Sequence, residues 1–379
     1  MCAEPDSGRS EVTARGRGLA SSWTMTAAPV RVGFLGAGLI ATYHSKSLRR
    51  SGAEVVRAGV YDPDTARAAG FAAASGHTVR ASNDEVIADC DAVYICTWTN
   101  EHPRLLAKAA AAGKHVFCEK PLAFTTADAE QMALAAQAAG VTHQVGLVLR
   151  RSPAYLWAKH LIDDGAAGRV MTVVFRDDQF IPIQGHYAST WRADKRLVGA
   201  GTLLEHSIHD VDMLRYLVGE VRRVSAHTEN FHGHDGIEDV ATASLRFVGG
   251  ATGTLTSVWH DNLARPSLRR VEIFCERRHI VIEGDDWFGP VSWTDADGAT
   301  GLLADSALSE AVAPMRDGSD NPDGEFIRAI VEGRDATPDL FTAVKAHRIV
   351  DAMYASAAAD GAAVDVDVDV DVDADAAAR

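Results

Sequence analysis

The sequence predicts two units in series. The first is an α/β unit with a doubly wound parallel sheet. The second is an α+β unit with an open, mostly antiparallel sheet. Three observations carry this. Up to about residue 150, short apolar runs alternate with helical stretches. After it, strands follow one another through short turns. And the first strand runs straight into a glycine-rich turn and then a helix: Arg31-Val-Gly-Phe-Leu-Gly-Ala-Gly-Leu-Ile-Ala41.

That first segment has the G-x-G-x-x-A pattern of a dinucleotide turn, with Gly36, Gly38 and Ala41 in the three small positions. Gly36 permits the tight turn. Gly38 lets a pyrophosphate approach the backbone at a helix N-terminus. Leu39 and Ile40 open that helix at the edge of the same cleft. About 20–25 residues on, as the pattern requires, the strand 54–61 ends in Asp62. A carboxylate there accepts from the adenosine ribose hydroxyls and repels a 2′-phosphate, which favours NAD over NADP. The first unit, residues 30–150, is thus expected to be a Rossmann domain.

Its other elements follow in order. Strand 31–35 leads to a helix closed near Gly52, and strand 54–61 to a helix at 63–74. A short strand at 77–80 precedes a helix at 83–88. Strand 92–96 precedes a helix at 101–112, and strand 115–118 a helix at 125–139. Strand 142–146 completes the sheet. In the second unit, 151–360, a helix at 153–164 leads to strand 170–176. An irregular stretch, 177–201, leads to a helix at 202–217. The strands 221–229, 238–247, 252–259, 269–275 and 279–283 have no helices between them and pair antiparallel. Helices at 323–332 and 341–357 end the fold. Residues 1–29 carry Ser, Gly, Arg and Pro and are expected to be a disordered extension with no secretory h-region. Residues 361–379 form a low-complexity tail in which six aspartates alternate with small apolar residues, and disorder is expected there too.

Composition narrows the class. Of 379 residues, 47% are apolar and 23% charged, as in a globular protein, and no apolar run reaches the length of a membrane span. The net charge of −15, with no basic stripe, argues against nucleic acid or an anionic membrane as partner. Five cysteines without a C-x-x-C fit a reducing cytoplasm and no disulfides.

Three segments carry chemistry. Glu119-Lys120-Pro121 follows strand 115–118, at the carboxyl end of a parallel strand, where open α/β sheets bind ligands. A lysine there reaches a substrate oxygen and stabilises an alkoxide. On the helix after Gly201, Glu205, His209 and Asp212 fall at i, i+4 and i+7 and share a face beside the apolar stripe Leu204, Ile208, Val211, Leu214. Histidine is the usual general base near neutral pH, and a carboxylate one turn away can orient it. His206 and His209 are spaced for a metal, but no third ligand has a diagnostic spacing, so no metal is expected. Finally, Thr97, Thr99, Asn100 and His102 follow strand 92–96 at another carboxyl end. That loop can cover the adenosine and ribose side of a dinucleotide, or cap the next helix.

Taken together these segments resemble the glucose–fructose oxidoreductase / inositol 2-dehydrogenase (Gfo/Idh/MocA) family. The resemblance rests on Gly36–Ala41, Thr97–His102 with Ala112–Val116, Glu119-Lys120-Pro121 and Glu205–Asp212. Trp191-Arg192 ahead of Gly199-Ala200-Gly201 supports it, and it covers roughly 30–360. It implies a lysine (Lys120) and a histidine (His209) in catalysis, with a carboxylate one turn before the histidine. That residue is usually aspartate and is Glu205 here. It implies that Trp191, Arg192, Glu119 and Pro121 belong to the cofactor side. The usual T-P-N loop is Thr97-Trp98-Thr99, and His206 stands where an apolar residue is common and could face substrate. The implied activity is NAD(H)-dependent hydride transfer to or from a secondary alcohol or ketone of a sugar, cyclitol or related polyol. The implied assembly is a homodimer or homotetramer built through the C-terminal sheet. Two other readings stay open. One is an enzyme that recycles tightly bound NAD and cleaves glycosides or epimerises by transient oxidation. The other is a catalytically silent NAD-binding sensor or scaffold.

Overall fold

The computed structural model describes residues 28–368 apart from 186, 285–287 and 317–320. The N-terminal extension up to residue 27 and the tail from residue 369 lie outside the described residues. The first sheet assembles β1 (Val30–Leu35), α1 (Leu39–Arg50), β2 (Val55–Tyr61), α2 (Thr65–Ser75), β3 (Thr78–Val79), α3 (Asn83–Asp89), β4 (Ala92–Ile95), α4 (His102–Ala111), β5 (His115–Cys118), α5 (Thr126–Ala138) and β6 (His143–Val145). Its strands are all parallel, in the order β3-β2-β1-β4-β5-β6. The order reverses between β1 and β4, so the loops after these two strands open a crevice at the carboxyl edge.

The local chemistry is that of the sequence. β1 is almost wholly buried, as a strand covered on both faces must be. Asp64, Ser82 and Thr125 cap α2, α3 and α5 with side-chain acceptors. α1 has no side-chain cap and no acidic residue in its first turn.

The chain then runs through α6 (Pro153–Asp163), β7 (Val170–Phe180), α7 (Lys195–Val198), α8 (Thr202–Glu205) and α9 (Ile208–Val218). Strands β8 (Val221–Glu229), β9 (Val240–Phe247), β10 (Thr252–His260), β11 (Leu268–Cys275), β12 (Arg278–Gly284), β13 (Val291–Asp295) and β14 (Thr300–Leu303) follow, then α10 (Asp305–Val312), α11 (Pro322–Glu332), α12 (Leu340–Ala358) and β15 (Val364–Asp365). The second sheet has the order β14-β13-β12-β11-β7-β10-β9-β8-β15 and is antiparallel except for β7 with β10. Alternate residues of β9 and β10 are buried and exposed, so one face packs under helices while the other stays open.

The buried face meets α6, α9, α10 and the second half of α12. The chain also returns to the first sheet: Phe326, Ile327 and Ala329 of α11 pack with Phe34, Tyr94 and Phe117, while Leu340, Ala343 and Val344 of α12 join the core on the other side. α12 thereby ties the two sheets together.

Four expectations are corrected. The helix expected over 202–217 is two helices, broken at His206 and Ser207: the Ser207 N–H bonds back to the Thr202 carbonyl, and the Thr202 and Ser207 hydroxyls both bond Ser257 on β10. The irregular stretch begins later, because β7 runs on to Phe180. β13, β14 and α10 were not anticipated. And the start of the tail is ordered: β15 pairs with β8, and Val366 is buried.

Candidate active site

The crevice is built on the turn after β1. The Gly36 N–H donates to the Tyr61 carbonyl at 2.8 Å, and at φ +92° a Cβ on Gly36 would lie 2.4 Å from the Cys96 carbonyl oxygen. Only glycine fits there. Around Gly38 nothing lies within 4 Å of where a Cβ would be, so the N-terminus of α1 is open to an anion. Asp62 is buried at the end of β2; its carboxylate accepts from the Ala37 N–H and the Asp64 N–H, each at 2.9 Å, and from Arg67 at 3.2 Å. Leu39 and Ile40 leave apolar side chains exposed at the helix start. An open helix end, a glycine at the close approach and a carboxylate beside the turn fit a dinucleotide.

The loop after β4 contributes differently from residue to residue. Thr99 is buried, and its hydroxyl donates to Glu205 Oε1 at 2.9 Å, joining the two sheets. His102 is buried too, with Nδ1 2.9 Å from the Pro121 carbonyl and Nε2 3.3 Å from the Thr97 carbonyl. Burial lowers its pKa, so the ring is neutral and the shorter contact is its hydrogen bond. His102 therefore braces the loop against the Glu119–Pro121 turn from below. Thr97 is half-buried and Asn100 exposed at the rim.

Lys120 donates from Nζ to the Glu205 carbonyl at 2.7 Å. Burial lowers its pKa, against the opposing pull of the Glu205 and Glu119 carboxylates. Glu119 points inward, to His44 at 2.7 Å, rather than toward the cleft. The Glu205 carboxylate joins Thr99 to Arg192, whose Nε lies 3.3 Å away and whose guanidinium stacks 4.4 Å over the Trp191 indole. The break between α8 and α9 thus turns Glu205 toward the first sheet instead of along the face of His209. Asp212 faces Arg150, at 2.8 Å to each of two nitrogens, and Arg215.

His209 is buried, and its pKa lies well below the usual imidazole value: burial is the main cause, and neighbouring Lys120, His206 and Arg269 add to it. Next to it, His206 Nε2 is 2.8 Å from Asp177, which Arg269 also holds at 2.9 Å. Asp177, Arg269, His44 and Asp323 were not read from the sequence. Asp177, Arg269 and Asp323 lie on elements that carry no motif, and His44 lies on α1 beyond the motif positions, so only the fold brings them to the site. Among the described residues no group of three or more His, Cys, Asp or Glu is placed to hold a metal, and no helix is long and apolar enough to cross a membrane.

The arrangement can therefore seat a dinucleotide over α1 and present a neutral imidazole and a lysine ammonium to a third group. Comparison with known proteins shows the family. The family described as "Oxidoreductase family, NAD-binding Rossmann fold" matches residues 30–147, and the GFO/IDH/MocA C-terminal domain matches residues 155–281. The 1,5-anhydro-D-fructose reductase of Ensifer adhaerens is 32% identical over 228 residues, 58% of this chain and 66% of that protein, just under two thirds of its length. The myo-inositol 2-dehydrogenase of Thermotoga maritima is 31% identical over 268 residues, 67% of this chain and 75% of that protein. Among solved structures, levoglucosan dehydrogenase in complex with NADH and levoglucosan superposes with a TM-score of 0.80 at 25% identity, over 90% of this chain and all of that one. The chain belongs to the Gfo/Idh/MocA oxidoreductase family, with an NAD-binding Rossmann domain ahead of the family's C-terminal domain.

Proposed function

We propose that this protein is an NAD(H)-dependent oxidoreductase acting on a secondary alcohol or ketone of a sugar, cyclitol or related polyol. The Gly36–Gly38 turn and the start of α1 would hold the pyrophosphate, Asp62 the adenosine ribose, and Lys120, Trp191 and Arg192 the nicotinamide side. NAD, when bound, supplies the hydride acceptor. His209 takes the hydroxyl proton at its ring nitrogen; Lys120 holds the negative charge that grows on the same oxygen. Glu205 positions Lys120, its carbonyl accepting from Nζ while its carboxylate is held by Thr99 and Arg192.

The observation that carries this reading is geometric: His209 is buried in the second unit, and the half-buried Lys120 of the first is fixed by its Nζ on the Glu205 carbonyl at 2.7 Å, with its charge among the causes that hold the His209 pKa low. A binding module has no use for that arrangement. The substrate class rests on what the relatives are named for: anhydrofructose, inositol and levoglucosan. The test is turnover with NAD on a panel of such polyols, and with NADH on the ketones. Lys120→Ala and His209→Ala are each expected to lower turnover about 10²–10⁴-fold. NAD affinity should hardly change in His209→Ala. Full turnover in His209→Ala would sink the assignment.

The same reading includes a reducing cytoplasm, supported by four buried free cysteines, Cys90, Cys96, Cys118 and Cys275. It also includes self-association through the open face of the second sheet, where Met171 and Val174 are exposed. Light scattering in solution reads the assembly directly.

A further inference from the structure

His44 lies on α1, six residues after the open glycine, and has no exposed surface. Its two ring nitrogens each meet a carboxylate: Nδ1 lies 2.8 Å from Asp323 on α11, and Nε2 lies 2.7 Å from Glu119. Both carboxylates are buried as well. The surroundings are dry and aromatic. The Phe117 ring is centred 4.7 Å from the imidazole and Tyr94 5.7 Å, and Phe34, Tyr94 and Phe117 form a stack. Burial alone would lower the His44 pKa, but the two carboxylates, Asp323 foremost, raise it to about 10, so the ring is an imidazolium. That hydrogen bond and charge also pull Glu119 below the usual carboxylate range, against its own burial.

Glu119 is fixed from two further sides. Its Oε2 accepts from the backbone N–H of Lys120 at 3.2 Å. Opposite, a Cβ on Gly146 would sit 2.2 Å from Oε1, so the glycine leaves a slot the width of the carboxylate. The result is a file of buried charges, Asp323–His44–Glu119, that ends on the peptide N–H of Lys120.

A buried ion file of this kind adds little net stability, because desolvation offsets the attraction; well-packed apolar residues of the same volume often serve as well. What it does supply is fixed geometry. It links three elements that share no sequence proximity: the helix that faces the dinucleotide, the turn that carries the lysine, and α11. We propose that His44 and Asp323 are positioning residues for Lys120. Through Glu119 they set the Glu119–Pro121 turn against α1, and so hold the lysine ammonium at one place relative to the cofactor cleft. This rests on the proposed role of Lys120.

The test uses the full chain with His44→Gln, Asp323→Asn and each of these in a Lys120→Ala background. Turnover should fall about 10–100-fold in His44→Gln and about 3–10-fold in Asp323→Asn, with KM for NAD within about twofold. In the Lys120→Ala background neither change should lower the residual rate more than about twofold, since both act through the lysine. Without cofactor, amide hydrogen exchange over 116–124 should quicken at least about threefold in both variants while β4 keeps its protection. Losses that multiply with Lys120→Ala, or exchange that rises across the whole first sheet, would show a merely structural role and overturn the proposal, as would unaltered turnover and exchange. If His44→Gln does not fold, the isosteric Asp323→Asn decides alone. If Lys120→Ala itself keeps full turnover, the role of Lys120 fails. The exchange measurement still reads whether the file holds the turn, faster local exchange supporting it and unchanged exchange overturning it.

Discussion

Thr99 and Glu205 meet across the two sheets, the threonine hydroxyl donating to the glutamate carboxylate at 2.9 Å. Both residues depart from the pattern the family resemblance leads one to expect, asparagine in the loop and aspartate on the helix. The two departures compensate: the donor is shorter and the acceptor longer by one methylene. Glu205 thus reaches Thr99, and the contact ties the two units together beside Lys120.

A double-mutant cycle follows from this contact. Thr99→Val and Glu205→Gln should show a coupling of about 1–2 kcal/mol, roughly 5–30-fold in kcat/KM. Glu205→Asp alone should lose about tenfold, and Thr99→Asn should recover most of it in the pair. Additive losses and no recovery would mean that the bond does nothing for catalysis.

The pH profile of kcat/KM is fixed in sign by two groups. His209 must be neutral to take a proton. Burial, with Lys120, His206 and Arg269, holds it well below the ordinary 6.5, so activity is lost only as the pH falls through that depressed value. Lys120 must be charged. Its pKa is lowered from 10.5, chiefly by burial, so activity is lost as the pH rises through a value below 10.5. A scan of the oxidation reaction should therefore show no acid limb near 6.5. A limb at or above 6.5 that disappears in His209→Gln would contradict this.

The first sheet was legible because its signals are local: a glycine turn, apolar runs and caps within a few residues of each other. The proposal of Lys120 and His209 rests on signals of the same local kind. The break between α8 and α9 was not. The stripe Leu204, Ile208, Val211, Leu214 continues at helical spacing through it, and the interruption comes from Thr202 and Ser207 reaching Ser257, some 50 residues away. His44 reads as an ordinary helix residue, since its partners lie 75 and 279 positions off. β13 and β14 escaped notice because they close the sheet's far edge with only one fully buried side chain, Val291.

Cofactor choice turns on Asp62 and a neighbour. The Asp62 carboxylate disfavours a 2′-phosphate, but Arg67, bound to it at 3.2 Å and about half exposed, offers a cation at the same spot. Asp62→Ser should therefore raise relative NADP use by about 10–100-fold, or about 1.4 kcal/mol per factor of ten. Adding Arg67→Ala should reverse most of the gain. Wild-type preference for NADP would show that Arg67, not Asp62, governs the site.

The tail supplies the last prediction. β15 covers the edge of β8, with Val364 opposite Val224, and the Val366 N–H bonds the Arg222 carbonyl at 2.9 Å. Val366 is 7% exposed and joins the core under α12. The Arg223–Asp365 pair is exposed and should contribute little. The apolar term dominates: one well-buried valine is worth about 1.5–3 kcal/mol. Truncation after Gly361 should thus lower the melting temperature by roughly 3–12 °C, at about 2–4 °C per kcal/mol for a protein this large. It should also expose β8 as a free edge and promote association. Val366→Ala should give part of the loss without opening the edge, while truncation after Val368 should leave the melting temperature unchanged. Among the described residues of the tail, Val366 joins the core and Val364 packs against it, and these two give the strand its apolar reason to dock. Calorimetry on the three variants separates these outcomes, and equal melting temperatures for all would show that the strand does not hold in solution.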